Sequence, residues 1–321
     1  MFGIVGQDKV IELFNSSLKG NRIAHSYLIE GDRGLGKKNV AFYMAASLLC
    51  GSEEVGPCGD CSVCRRIREG NHPDVKIVLE DTVKIDNIRL SIEEVYKKPY
   101  EGDRKVLIID NFHTTTIEGQ NAILKTLEEP PAASTIILLA STTLTILDTI
   151  KSRCQIIKLF RQDVSLIKEK LIEEGYSEDE SVFASLYSEG NYGEALKACS
   201  VEFNSLRSEV LEIGLNLFKV SKFEAMEIAS GFTKYKDNID NVLGILTSLY
   251  RDIIILKIDQ SSENIINRDN FQILVEESYR LSYNRLDKAL RVITDTRKRL
   301  IRDTNFQLTM EVMILGIQEA K

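Results

Sequence analysis

The distribution of proline constrains the fold of this 321-residue chain more than any other feature. The five prolines are Pro57, Pro73, Pro99, Pro130 and Pro131, and residues 132–321 contain none. Because proline ends helices and favours turns, this asymmetry predicts a first part with many turns and a mostly helical remainder.

Short runs rich in β-branched residues alternate with helical patterns in the first part of the chain. Such alternation predicts a parallel sheet covered by helices on both faces. From Asn204 onward, apolar residues recur at helical spacing with few breakers. The predicted fold class is therefore α/β followed by all-α. The predicted strands are Tyr27–Glu30, Val75–Leu79, Val106–Asp110, Thr135–Ser141 and Ile156–Leu159, and the predicted helices between them are Asn39–Cys50, Ile85–Tyr96 and Ile117–Glu129.

Size and composition indicate a globular protein of two or three domains. The net charge of −7 argues against a chain that binds DNA by its overall charge. The N-terminal segment MFGIVGQDKVIELF lacks the apolar core of a signal peptide, and the apolar run TIILLAS is too short to span a membrane. We expect a cytoplasmic protein with no membrane partner, in which clustered cysteines indicate metal before disulfide.

The segment YLIEGDRGLGKKNVAFYMAA resembles a Walker A phosphate-binding loop with one departure. Gly31, Gly36 and Lys37 match the pattern G-x-x-x-x-G-K-[ST], and Gly34 lies within the loop. Backbone N–H groups and the helix N-terminus would bind phosphate there. Lys38 replaces the hydroxyl that ligates magnesium, so we do not expect ATP turnover. The residues leave open whether the loop binds nucleotide.

A second departure follows the strand KVLII. Asp110, at the carboxyl end of this strand, matches the acidic residue of a Walker B motif. In ATPases of the AAA+ type the next residue is a glutamate that polarises the attacking water. Asn111 has an amide in its place and cannot act as a base.

Four cysteines follow the predicted phosphate loop and helix. Cys50, Cys58, Cys61 and Cys64 have the spacing C-x7-C-x2-C-x2-C. Four thiolates at this spacing favour a closed, tetrahedral structural zinc site. Free or redox-active thiols are the alternative reading.

One arginine precedes the last predicted strand. Arg153, in the sequence Ser152-Arg153-Cys154, could stabilise charge on a phosphoryl group held by another subunit. A single arginine in a loop is more often a solvated surface charge. Only the neighbouring motifs change that interpretation.

Together these motifs resemble the clamp-loader subunits of bacterial DNA polymerase III, which are AAA+ proteins, and most closely the delta-prime type. The resemblance is carried by IVGQDKVIELFNSSLKGNRIAHSYLIEG, by the four-cysteine insertion, by GQNAILKTLEEPP and by the Ser-Arg-Cys loop. It covers most of the chain and is weakest in the C-terminal helices.

The resemblance implies three domains. These are a P-loop-type AAA+ domain at residues 1–160 with the zinc module at 50–64, a helical lid at 161–203 and a helical collar at 204–321. The implied partners are the gamma/tau and delta subunits, with the sliding clamp and primer–template DNA contacted through the complex. The chain would be a monomer alone and part of a hetero-oligomer when assembled.

The departures from the family pattern distinguish a motor from its partner. An ATP-hydrolysing gamma/tau subunit needs a hydroxyl at Lys38, a glutamate at Asn111 and a sensor arginine where Gly193 lies. All three are missing, whereas Arg153 is kept. The resemblance thus implies a stator without intrinsic ATPase activity, within the polymerase III holoenzyme, that offers Arg153 to a neighbour's ATP.

Two alternatives stay open. An active gamma/tau-type motor would have to tolerate Lys38 and Asn111. A zinc-containing DNA-binding protein could use Arg65, Arg66 and Arg68 beside the cysteines, although arginines after such a module are more often a solvated helix face.

Overall fold

The computed structural model describes residues 2–52, 55–261, 264–300 and 304–319. The chain divides into two compact units. The first comprises Met1–Leu166 together with Asn191–Gly193, and the second comprises Ile167–Gly190 and Glu194–Lys321. The predicted separation of a lid at 161–203 from a collar at 204–321 stays a prediction.

A parallel sheet forms the centre of the first unit. Within the described residues it has five strands in the order β2-β3-β4-β1-β5, and every neighbouring pair is parallel. The carboxyl ends of β1 and β3, on either side of β4, therefore lie at one edge of the sheet. The strands are β1 Ser26–Glu30, β2 Val75–Val78, β3 Lys105–Ile109, β4 Ser134–Ala140 and β5 Gln155–Lys158.

Helices cover both faces of this sheet. Alternate strand residues such as Ile108 and Leu107 belong to separate buried clusters, because successive side chains point to opposite faces. One cluster includes residues of α1, α2 and α3, and the other includes residues of α4 and α5. These helices are α1 Asp8–Lys19, α2 Lys37–Leu49, α3 Ser62–Arg68, α4 Ile85–Tyr96, α5 Ile117–Glu128 and the short α6 Asp148–Lys151.

The boundaries of α5 follow from its sequence. The hydroxyl of Thr116 caps the helix by accepting a hydrogen bond from the N–H of Gly119 at 3.3 Å. At the other end, Pro130 and Pro131 follow the C-cap residue Glu129 and cannot continue a helix. Both ends of α5 are thus defined by its sequence, and Glu128 is the last residue of the helix.

After β5, the elements of secondary structure in the described residues are all helices, beginning at Val164. In the second unit, α12 lies at the centre and packs against α10, α13 and α14, while α11 packs against α15. No described helix is long and apolar enough to cross a membrane. The helices are α7 Val164–Glu173, α8 Glu178–Tyr187, α9 Tyr192–Ala198, α10 Val201–Asn216, α11 Lys222–Gly231, α12 Ile239–Ile258, α13 Phe271–Arg280, α14 Tyr283–Leu300 and α15 Phe306–Gln318.

The predicted fold class is confirmed. All five predicted strands form and pair in parallel, and helices follow without another strand in the described residues after β5. The three helices predicted between the strands differ from α2, α4 and α5 by at most two residues at either end.

Candidate functional site

The phosphate-loop motif lies between β1 and α2. Gly34 and Gly36 have φ angles of +92° and +84°, which L side chains rarely adopt, so glycine is required at both turns. The Nζ atom of Lys37 donates hydrogen bonds to the carbonyl oxygens of Gly31 and Asp32 at 2.6 and 2.9 Å. Burial lowers the pKa of Lys37, while the nearby carboxylates of Asp110 and Asp32 oppose that shift. The lysine is therefore bound to the backbone of its own loop.

Lys38 lies on the exposed side of the first turn of α2. Its ammonium group lies 5.3 Å from the centre of the Phe42 ring, one turn further along the helix. Lys38 therefore has no hydroxyl with which to ligate magnesium, as the Ser or Thr of a Walker A loop does.

Asp110 and Asn111 follow β3 and line the same cavity as the loop. The cavity has a volume of about 650 Å³, and Gly34, Gly36 and Lys37 also line it. Asn111 has a left-handed φ of +49°, a conformation that asparagine adopts more readily than most residues. Its side-chain amide donates to the carbonyl oxygen of Glu80 at 3.0 Å. The structure thus brings the two predicted nucleotide motifs together and uses Asn111 to connect β3 with the loop after β2.

The four predicted metal ligands also come together. The sulfur–sulfur distances are 3.6 Å for Cys50–Cys58, 3.8 Å for Cys50–Cys61 and 3.9 Å for Cys58–Cys64. All four sulfurs lie within 4.8 Å of one another. Thiolates about 2.3 Å from a tetrahedral zinc lie about 3.8 Å apart, so the observed spacing fits zinc, whereas a disulfide requires about 2.05 Å.

The members of this four-cysteine cluster lie in different local environments. Hydrogen bonds from the backbone N–H groups of Cys61 and Asp60 lower the pKa of Cys58 to about 6, whereas burial raises the pKa of the Cys64 thiol. The N–H of Cys64 donates to the sulfur of Cys61 at 3.4 Å, which caps helix α3. Residues 53–54 of the predicted module lie outside the described residues. The cluster could hold a metal ion such as zinc.

The arginines beside the cysteine cluster do not form a simple basic face. Arg66 makes two hydrogen bonds to the carboxylate of Glu101, at 2.8 and 2.5 Å. Arg65 and Arg68 are exposed. Since one of the three charges is paired, the DNA-binding alternative has less support than the sequence suggested.

Arg153 lies between α6 and β5, and its side chain is one-third exposed. The backbone there is well fixed: the Ser26 hydroxyl donates to the Arg153 carbonyl oxygen at 2.6 Å. The next residue, Cys154, is buried, and burial raises the pKa of its thiol to about 11. An anchored backbone with a partly exposed arginine side chain suits recognition of an anion from outside the chain.

Comparison with known proteins agrees with this arrangement. Family models described as DNA polymerase III, delta subunit, and its C-terminal part match residues 6–163 and 202–319. The delta-prime subunit of DNA polymerase III from Bacillus subtilis (strain 168) is 29% identical over 320 residues, which cover 98% of this chain and 96% of that protein. The chain belongs to the clamp-loader subunits of DNA polymerase III related to delta-prime.

Two further similar proteins share about half of the chain or its fold. The tau/gamma subunit from Haemophilus influenzae is 36% identical over 170 residues, or 52% of this chain and 25% of that protein. A gamma subunit-related protein from Thermotoga maritima has a crystal structure that aligns with a TM-score of 0.50 and 18% identity, over 97% of this chain and 99% of that one. The latter likeness supports the AAA+-like fold.

Two contacts in this clamp-loader subunit were not indicated by its sequence. The first unit includes residues 191–193, and the N–H of Gly193 donates to the carbonyl oxygen of Gly34 at 3.0 Å. The side-chain amide of Asn191 donates to the carbonyl oxygen of Arg33 at 2.7 Å. Residues about 158 positions away along the chain thus bind the phosphate loop directly, and no local pattern could have shown it.

The second unexpected contact joins two residues that line the cavity. The Nε2 atom of His113 lies 2.7 Å from the hydroxyl of Ser141, which follows β4. Burial and the nearby charge of Lys37 lower the pKa of His113, which favours the neutral ring. Neither residue belongs to a motif that sequence reasoning could have selected.

Proposed function

We propose that this chain is a delta-prime-type stator of a clamp loader. It supplies Arg153 to ATP bound by a neighbouring motor subunit and does not hydrolyse ATP itself. The observation that supports the proposal most strongly is the identity of residue 38 in the first turn of α2. An active site needs a hydroxyl there to ligate magnesium, whereas this chain has Lys38, whose ammonium group lies near the Phe42 ring.

The state of the second motif supports a degenerate site. Asn111 cannot accept a proton from water, and its amide is bound to the Glu80 carbonyl oxygen. Asp110 accepts a hydrogen bond from the N–H of Asn111 at 2.8 Å. These contacts stabilise the turn after β3, and neither of them activates a water molecule.

The 191–193 segment supports the same proposal. A Cβ atom added to Gly193 would lie 2.6 Å from the Cα atom of Gly34, so the two backbones are in direct contact. A Cβ atom on Gly34 would lie 2.3 Å from Oδ1 of Asn191. Lys37 also binds carbonyl oxygens of the loop, so several groups of the chain itself hold this loop. We infer that Gly31, Gly34, Gly36 and Lys37 are an inherited phosphate cradle.

The role in trans depends on Arg153. Arginine fingers contribute about 10³–10⁵ in rate at the phosphoryl-transfer site that they complete. Arg153 is accessible, and its backbone is anchored to β1 through Ser26. This arrangement is suited to a group that acts on a ligand of another subunit.

The proposed partners follow from the relatives. Delta-prime and tau/gamma subunits of DNA polymerase III match this chain, so we infer a hetero-oligomer with gamma/tau and delta subunits. The sliding clamp and primer–template DNA would be contacted by the assembled complex. A structural zinc ion would be held by the thiolates of Cys50, Cys58, Cys61 and Cys64.

The experiment that tests the proposal is ATP hydrolysis by the purified chain, alone and mixed with motor and delta subunits, clamp and primed DNA. We expect no turnover by the chain alone and clamp loading by the mixture that requires this chain. Turnover by the isolated chain that is lost on Lys37→Ala would instead identify an active motor.

A further inference from the structure

The guanidinium group of Arg153 is oriented by partners from its own unit. Nη2 donates to Oε1 of Glu128 at 2.6 Å, and Nη1 donates to the carbonyl oxygen of Thr149 at 2.8 Å. An arginine side chain has many rotamers, and two simultaneous contacts select few of them. The orientation of this side chain is therefore set before any neighbour binds.

Both ends of helix α5 contact the segment that connects β4 to β5 and contains Arg153. Near the start of α5, the buried amide of Gln120 donates to the carbonyl oxygen of Thr145 at 2.9 Å and accepts from the N–H of Leu147 at 2.9 Å. At its last turn, Glu128 binds Arg153. The helix between these contacts packs on the sheet through Ile123 and is fixed as a unit. Glu128 is consequently presented from a rigid element.

The contacts leave part of the guanidinium group available. A guanidinium has five N–H donors, and the hydrogen bonds to Glu128, to Thr149 and, at 3.4 Å, to the Ser152 hydroxyl engage three of them. Among the described residues, the Nε–H of Arg153 has no hydrogen-bond partner. The remaining donors can therefore bind phosphate oxygens while Glu128 and Thr149 keep the group in place.

The ion pair itself contributes little to folding. The side chains of Arg153 and Glu128 are 33% and 50% exposed, and pairs of this kind stabilise a protein only weakly. Substitution of Glu128 should therefore leave the fold intact. Its main consequence should be a wider range of orientations for Arg153.

We propose that Glu128 is a positioning residue that orients Arg153 toward the triphosphate bound by a neighbouring ATPase subunit. The proposal rests on the in-trans role of Arg153 stated above. Preorganised charge contributes most to the rate when it needs no rearrangement during the reaction. Loss of Glu128 should thus lower kcat more than it raises KM for ATP.

The test uses the complete reconstituted complex with clamp and primed DNA. For Glu128→Ala we expect the maximal rate of clamp loading to fall at least about tenfold, since small misplacements of a catalytic group are costly. Glu128→Gln keeps an oxygen acceptor without the charge and should fall between Ala and wild type. Glu129→Gln makes the same charge change at the next, exposed position and should match wild type.

Combination with Arg153→Ala separates positioning from a purely structural role. If Glu128 acts through Arg153, then Glu128→Ala should cause no further loss in the Arg153→Ala background. An equal loss in both backgrounds, an unchanged rate in the single variant, or a faster rate would each overturn the proposal. If Arg153→Ala itself loaded clamps normally, the in-trans role would fail. A slow Arg153→Ala variant with a normal Glu128→Ala variant would refute positioning alone.

Discussion

Two regions of the first unit, the phosphate loop and the Ser-Arg-Cys loop, carry positive charges suited to binding phosphate. The charged side chains of the two loops make different contacts. In the phosphate loop, Lys37 binds carbonyl oxygens of its own loop, and the 191–193 segment contacts Gly34. In the Ser-Arg-Cys loop, the backbone is anchored and the guanidinium of Arg153 keeps donors available. The comparison teaches that a chain can lose the catalytic accessories of its own site while it retains the group that a neighbour needs.

The largest expected effect comes from breaking the four-cysteine cluster. Cys61→Ser should break the four-sulfur set, lower the zinc content below one equivalent and destabilise the first unit by on the order of 3 kcal/mol or more. Metal analysis and denaturant unfolding of purified protein measure both effects. Cys199→Ser, a buried cysteine outside the cluster, is the matched control and should keep its zinc. Wild-type protein purified without stoichiometric zinc would refute the metal assignment.

The next prediction compares an arginine-to-lysine substitution in the Ser-Arg-Cys loop with the same substitution beside the phosphate loop. Arg153→Lys should slow clamp loading about tenfold or more, because an ammonium cannot replace the planar fork of donors. Arg161→Lys makes the same change beside the phosphate loop, where Arg161 pairs with Asp32 at 3.2 Å. It should leave the rate unchanged. Equal effects of the two variants would remove the distinction between the regions.

A smaller effect is expected on stability alone. Gly193→Ala would place a Cβ atom 2.6–2.7 Å from backbone atoms of Gly34, so the backbone must shift. We expect a loss of about 1–3 kcal/mol in the free energy of unfolding, as for other overpacked sites. Gly231→Ala meets open space at a helical φ and serves as the control. An unchanged stability of Gly193→Ala would contradict the close contact with the loop.

The smallest effect is expected at Asp110. Its carboxylate accepts one hydrogen bond from the N–H of Asn111, so Asp110→Ala should cost about 0.5–1.5 kcal/mol of stability. Clamp loading by the complex should not change, because Asn111 has already removed the base. Asp110→Asn keeps an acceptor and should be closer to wild type in thermal unfolding. A large loss of clamp loading in Asp110→Ala would indicate a functional site at the loop.

Much of the fold could be predicted because the relevant signals are local. β-branched runs gave the strands, Pro130 and Pro131 marked the end of α5, and the cysteine spacing indicated a cluster that the structure brings together. These features depend on backbone preferences and on chemistry between residues that are close in sequence.

The contacts that decide the candidate sites were not predictable in the same way. Asn191 contacts Arg33 from 158 residues away, and Glu128 contacts Arg153 from another element. Asn111 could be identified as a missing base, but its left-handed backbone and its bond to Glu80 depend on the packing of β2 and β3. Tertiary geometry sets these contacts, and sequence periodicity does not encode it.

The most direct test compares Arg153→Ala with Lys37→Ala in one assay of the reconstituted complex. We predict that Arg153→Ala slows ATP-dependent clamp loading at least about tenfold, with unchanged assembly of the complex. Lys37→Ala should stay within about twofold of wild type, as expected for a substitution outside the working site. The reverse result, a slow Lys37→Ala and a normal Arg153→Ala, would contradict the stator role and place the chemistry in this chain's own loop.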